Sequence, residues 1–245
     1  MNNELKTIDN CQNYPSLSPD SDIAEAIKAN FAAGESMQIS DLTKISVPSG
    51  GGLTWSWSDI YGDHEEKSIE GVLVLNQTRQ TLWPRSYDNS TGEERPVLIS
   101  FDGIKGHLIG DDFGELDKSE IDSVMNPDGT VDMLRLSYNQ WGSGRNGGKM
   151  VRDERVLFLL QPNTPWPVVV NVPPMSLNNI RAFLKKLHVP YYRAIVSLTL
   201  ENKTNGSGKK YSAIVPNFVG ELNKEEAIRV FDLYTKPLGD SFRKI

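Results

Sequence analysis

Between Tyr138 and Arg155 the chain reads YNQWGSGRNGGKMVRDER, a run whose glycines, cations and single tryptophan are of the types that grip phosphate. Gly142, Gly144 and Gly147 spell G-x-G-x-x-G, and Gly148-Lys149 follows. A P-loop needs a glycine where Ser143 stands, and a Ser or Thr where Met150 stands. A dinucleotide-binding turn needs an apolar strand before its glycines and a helix opening after them. Here Tyr138-Asn139-Gln140-Trp141 comes before, and a charged run leading into the strand-like Val156-Leu157-Phe158-Leu159-Leu160 comes after. A nucleotide site lacks its context. Two readings stay open: a plain surface turn, or a backbone that approaches a polyanion with Arg145 and Lys149 on phosphates and Trp141 on a base.

The neighbouring residues extend the second reading. Sites for unpaired nucleic acid combine cations along the backbone with aromatic faces for the bases, each stack contributing roughly 1–3 kcal/mol. Trp141 lies near Arg145, Lys149, Arg152 and Arg155; Tyr191 and Tyr192 precede Arg193; Lys209 and Lys210 precede Tyr211. Lys185, on a basic helix face, joins this set. Trp55 and Trp57 alternate on one face of a short strand, and that face lines either a groove or the core. Core packing is the plain alternative for every aromatic, and is preferred for Phe158 and for Trp166 between its two prolines.

Catalytic patterns are sparse. There is no G-x-S-x-G elbow, no H-E-x-x-H and no catalytic cysteine context. Asp102, Asp111, Asp112 and Asp122 offer oxygen ligands for a nuclease magnesium, but none ends a clear strand beside a second acid and a lysine. Calcium around Asp111, Asp112 and Asp117 lacks the alternating acids and central glycine of an EF-hand. The single Cys11 gives no disulfide and no cysteine-built zinc site, and the three histidines lack metal-ligand spacing. The expectation is a binding protein, not an enzyme, with no cofactor and no metal, in a reducing cytoplasmic setting.

The chain has 245 residues and a net charge of −6, which by itself disfavours a polyanionic partner. The distribution reverses that. From Arg135 to Lys210 stand twelve Lys and Arg against three acids, about +9, leaving 14 cations against 29 acids, or −15, elsewhere. Charge so divided suits one face that meets a polyanion and another that limits access to it. No apolar run reaches membrane-spanning length, and the N-terminus shows no signal peptide.

The elements that must position these residues are mostly short strands. Residues 1–43 read as an acidic arm with a brief helix from Ile23 to Phe31. Strand patterns follow at Ile45–Val47, Leu53–Trp57, Glu70–Asn76 with a continuation at Thr81–Trp83, Val97–Phe101, Val156–Gln161 and Pro165–Val172. Residues 102–132 hold nine acids against two lysines and read as an irregular acidic insertion. A helix capped by Ser176 sets Ile180, Phe183, Leu184 and Leu187 against Arg181, Lys185 and Lys186. Tyr191–Glu201 and Lys209–Val219 form a hairpin turning at NGSG. A last helix starts at Asn223, with Glu226 placed for a capping box. The fold expected is mainly β: an OB-fold-like small β-barrel with an internal helix over 44–220, and a C-terminal helix over 221–245 packed on it. A β-sandwich fits the same strand count.

The segments KISVPSGGGLTWSW, GVLVLNQTRQTLWP, SFDG, YNQWGSGRNGGK and VNVPPMSLNNIRAFLKKL, in that order, resemble a family of single-stranded DNA-binding proteins of bacteriophages and mobile elements. The resemblance runs from about Lys44 to Gly220. It implies an OB-like core, single-stranded DNA as partner, a role in phage replication or recombination, and the cytoplasm of an infected bacterium. Members similar to this chain carry cysteines flanking the NQWGSG loop, implying a zinc-stabilised turn. Here Met133, Leu134, Leu136, Met150 and Val151 stand near those places, so an apolar cluster is expected instead of zinc. The acidic arm would compete with DNA or recruit replication or recombination proteins. Two other classes remain: a protein-interaction factor that mimics DNA with its acidic surface, and a magnesium nuclease using Asp111 and Asp112.

Overall fold

The computed structural model describes residues 14, 17, 22, 25, 41–60, 62–85, 94–144, 147–206 and 208–242. The protein is mainly β, with a large mixed sheet and a C-terminal helix. Its contacts divide it into two compact units: Met1–Asn76 with Val156–Lys244, and Gln77–Arg155 with Ile245. Among the described residues no closed barrel is formed. The helix expected from Ile23 to Phe31 lies almost wholly outside them.

In the first unit, β1 (Lys44–Ile45) pairs in parallel with β9 (Pro167–Val172). Next in order come β8 (Arg152–Leu160) and β4 (Ser68–Leu82). The start of β4 also pairs, antiparallel, with β10 (Ala194–Thr204), which forms a long hairpin with β11 (Lys210–Glu221). A separate hairpin joins β2 (Trp55–Asp59) to β3 (Gly62–Glu66). Apolar residues at alternate positions, or in unbroken runs on strands covered on both faces, build the core: Ile45, Ile69, Leu73, Leu159, Val170, Val196 and Leu198 are all buried. Tyr14 and Leu17 are buried as well, and the Leu17 carbonyl accepts a hydrogen bond from the Arg229 guanidinium.

Of the unit's helices, one (Leu177–Lys186) buries Leu177 and Ile180 and leaves Arg181, Lys185 and Lys186 exposed, as its periodicity predicts. Its start departs from expectation. Ser176 makes no cap bond to the helix; its hydroxyl accepts from the Ile214 amide at 2.9 Å, while Asn179 donates to the Ile214 carbonyl at 2.8 Å. The helix thus satisfies the Ile214 backbone of β11, which among the described residues pairs with β10 alone. The C-terminal helix Lys224–Val230 opens with the capping box foreseen between Asn223 and Glu226. It continues through a wider turn, Phe231–Thr235, into Lys236–Phe242.

The second unit contains the far part of β4, then β5 (Leu98–Ser100), β6 (Lys105–Leu108) and β7 (Val131–Asp132), paired antiparallel in sequence order. A short helix, Lys118–Ser123, lies between β6 and β7, with Asp117 accepting from the Ser119 amide as its cap. The expected irregular acidic insertion is therefore a folded piece. Leu116, Ile121, Val124 and Val131 join Leu82, Val97, Leu98, Met133, Leu136 and Val151 in a core of their own. Its acids face water or close turns, which is why charge alone concealed it.

Candidate nucleic-acid interface

The glycine loop lies in the second unit, after a single turn of 3-10 helix at Ser137–Asn139. The Gly142 amide donates to the Gly147 and Gly148 carbonyls at 3.2 and 3.0 Å, and the Gly144 amide to Gly148 at 2.9 Å. The Ser143 hydroxyl donates to the Tyr138 and Gln140 carbonyls and accepts from the Met150 amide. The Gly142, Ser143 and Gly144 amides are thereby spent inside the loop. Glycine is required by this closure: a Cβ on Gly144 would stand 2.8 Å from the Lys149 carbonyl, and Gly142 and Gly147 have φ of 95° and 76°. The loop's base rests on most of the apolar cluster expected from the sequence, but Leu134, expected in it, is exposed. Met133, Leu136 and Val151 are buried there, with Tyr138 and Met150 packed against them.

At the crest sits Trp141, 80% exposed. The Lys149 ammonium lies 5.8 Å from the indole centroid, 3.2 Å from the Asn139 side-chain oxygen and 3.0 Å from Asp153. A single exposed apolar side chain is ordinary on a protein surface; here the indole face is open on a fastened loop with an ammonium beside it. Further along the chain, the start of β8 carries more cations, each engaged. Arg152 stacks over the Trp83 ring at 5.3 Å, and Arg155 reaches the Thr78 hydroxyl at 3.5 Å. Arg79 forks onto Glu154 at 2.6 and 2.8 Å, and Gln80 donates to Asp153 at 2.7 Å. Trp83 and Arg79 were not singled out from the sequence; the only signal was their position in the strand running into Leu82-Trp83-Pro84. Arg145 lies outside the described residues.

The first unit holds the remaining sequence candidates, and most of their aromatic rings are structural. Trp55 is wholly buried, its indole N–H donating to the Leu198 carbonyl at 3.0 Å, and Trp57 is 9% exposed and stacked on His64 at 4.9 Å. The face they share is the core, so neither ring is offered to a base. Tyr191, Tyr192 and Arg193 form a turn of 3-10 helix ahead of β10. The two rings meet edge to face at 5.6 Å, Tyr192 packs on Phe231, and burial followed by the neighbouring Tyr192 raises the Tyr191 pKa. Arg193 donates to the Leu222 carbonyl at 2.8 Å and pairs with Glu221 at 3.2 Å. This trio anchors the C-terminal helix. Lys185 on its helix, and Lys209 and Lys210 at the hairpin turn, are exposed, whereas Tyr211 is half-buried.

Three of the aspartates considered for metal, Asp102, Asp112 and Asp122, already serve the fold. Asp102 accepts from the Ile104 and Lys105 amides at 2.7 and 2.8 Å, Asp112 from the Gly114 amide, and Asp122 pairs with Lys118. Among the described residues no three His, Cys, Asp or Glu side chains converge as a metal site would need. Nor is any helix there long and apolar enough to cross a membrane. Comparison with protein-family models, curated proteins and solved structures gives no match.

Proposed function

We propose that the protein binds single-stranded DNA through the second unit's glycine loop, with Trp141 stacking on an unpaired base and Lys149, Arg152 and Arg155 supplying positive charge along the backbone. The observation that carries this reading is the exposed indole held over a self-bonded loop with an ammonium beside it. Exposed Lys185, Lys209 and Lys210 are a separate set of cations on the first unit. Contacts of this kind read phosphate and base faces, so binding is largely independent of sequence and falls steeply with salt. An OB-like core, and a role coating DNA during phage replication or recombination inside the infected bacterium, belong to the same proposal through the family resemblance.

The test is a tryptophan fluorescence titration with oligo-dT, the matching RNA and a duplex, each at two salt concentrations. Quenching by oligo-dT that exceeds the duplex response and weakens with salt supports the reading. Trp141→Ala should then lower affinity roughly tenfold to a hundredfold, the cost of one lost stack. No response at low salt overturns it. A second reading draws on the exposed Ile104, Ile109 and Leu134 within or beside the acidic stretch, which fit contact with a protein. A stable protein partner combined with no oligo-dT response would favour that factor.

A further inference from the structure

One helix of the first unit carries charge that its own fold leaves unanswered. Leu177–Lys186, ten residues long, is held by one face. Leu177 and Ile180 are buried, Phe183, Leu184 and Leu187 pack on the core, and Ser176 and Asn179 fasten its start to the Ile214 backbone. On the other face Asn178, Arg181, Ala182, Lys185 and Lys186 are all exposed. They fall at i, i+3, i+4, i+7 and i+8, a single stripe about 12 Å long. The helix contains no acid. Among the described residues no carboxylate pairs with Arg181, Lys185 or Lys186, and no hydrogen bond engages the Asn178 side chain. The short helix Lys118–Ser123 differs, its Lys118 closing onto its own Asp122 at 2.6 Å. Cations in a last turn favour the helix dipole, which accounts for Lys185 and Lys186. It does not account for Arg181 or Asn178.

Three unpaired cations select a polyanion, and the rest of the stripe selects its form. A single strand needs aromatic faces on which its bases stack, and the stripe has none, since the helix's one ring, Phe183, packs on the core. What it offers is polar donors and one small residue on a rigid rod. The major groove of B-DNA, about 12 Å wide, admits an α-helix. Arginine suits the guanine edge there and asparagine the adenine edge, and an alanine methyl meets that of thymine. Ala182 also leaves the centre of the stripe free of bulk, so the helix can approach the base edges. Lys185 and Lys186, at the far end, supply charge for the flanking phosphates. We propose that the exposed face of Leu177–Lys186 binds the major groove of duplex DNA, as a surface separate from the Trp141 loop.

The experiment follows the anisotropy of a labelled, mixed-sequence DNA duplex titrated with the full chain over a series of salt concentrations. Saturable binding is expected. Arg181→Ala should weaken it about tenfold, and Lys185→Ala should lower the slope of log affinity against log salt by about 0.9, one phosphate contact on a duplex. Ala182→Glu, at an exposed helical position, should abolish binding at an unchanged melting temperature. Lys224→Ala with Lys236→Ala removes two exposed charges from the C-terminal helix and should leave affinity within about twofold, which separates a local contact from net charge. Duplex RNA of the same sequence, whose deep and narrow major groove side chains cannot read, should bind about tenfold more weakly or worse. No duplex binding at low salt, equal affinity for duplex RNA, competition by polyglutamate as effective as unlabelled duplex, or indifference to Arg181→Ala and Ala182→Glu overturns the proposal. So does an oligo-dT affinity that falls with Arg181→Ala, since the helix would then belong to the strand site. Trp141→Ala should leave duplex affinity unchanged, so failure here and failure of the strand-binding reading are seen on different variants.

Discussion

At the scale of single residues, the balance at Lys149 governs what Trp141 does. Its ammonium is shared between the indole and the Asp153 carboxylate, which also holds Gln80. In the proposed complex a phosphate would have to displace Asp153 before Lys149 could neutralise it. Asp153→Asn is expected to raise affinity for oligo-dT several-fold at low salt, since the amide keeps the Gln80 geometry and removes the competing charge. Lys149→Ala should act in the opposite sense and reduce the slope of log affinity against log salt by about 0.7, one phosphate contact on a single strand. Titration at a series of salt concentrations checks both. The exposure of Trp141 was legible in the sequence, because a tryptophan amid glycines and polar residues has few apolar partners near it in the chain. The roles of Trp55, Trp57 and Tyr191 were not. A cation beside an aromatic reads alike whether the ring faces water or anchors a helix, and only the packing of Leu198, His64 and Phe231 against these side chains decides.

At the scale of elements, the glycine loop and the turn at Asp102 are the devices that give the second unit its shape. Gly144→Ala places a methyl against the Lys149 backbone, which cannot swing aside as a side chain can. The loop should open at a cost of about 1–3 kcal/mol, read as a lower denaturation midpoint, with loss of the Trp141-dependent quenching. In the SFDG segment, burial works to raise the Asp102 pKa. The Ile104 and Lys105 amides and the Ser100 hydroxyl outweigh it and hold the carboxyl below its ordinary value. A carboxyl whose pKa is lower folded than unfolded adds stability above its unfolded pKa, about 3.9, and that stability is lost as pH falls through the folded value. Asp102→Asn should accordingly flatten the dependence of melting temperature on pH below about pH 4. The long strands, the amphipathic helix at Leu177–Lys186 and the Asn223–Glu226 box were readable because each repeats a period or carries a cap. The helix at Lys118–Ser123 and strands β6 and β7 were not, since two to six residues are too few to display a period.

At the scale of the whole molecule, the +9 stretch from Arg135 to Lys210 supplies cations to both units, a division that composition could reveal only as a total. If the acids of residues 1–43 compete with DNA, the direct test would be to delete them. Tyr14 and Leu17, however, are buried in the first unit, so that deletion would remove core with the charge. Asp20→Asn, Asp22→Asn and Glu25→Gln together leave both anchors in place. They should strengthen oligo-dT binding at low salt and leave the melting temperature unchanged; unaltered affinity would remove the competition idea. The edge of β11 bears on a different property. A twelve-residue strand that, among the described residues, is paired with another strand on one side alone is a template on which other chains can add. Here Ser176 and Asn179 occupy the Ile214 backbone, and Pro216 has no N–H to offer. An edge blunted in this way offers other copies of the chain fewer free backbone groups on which to add a strand.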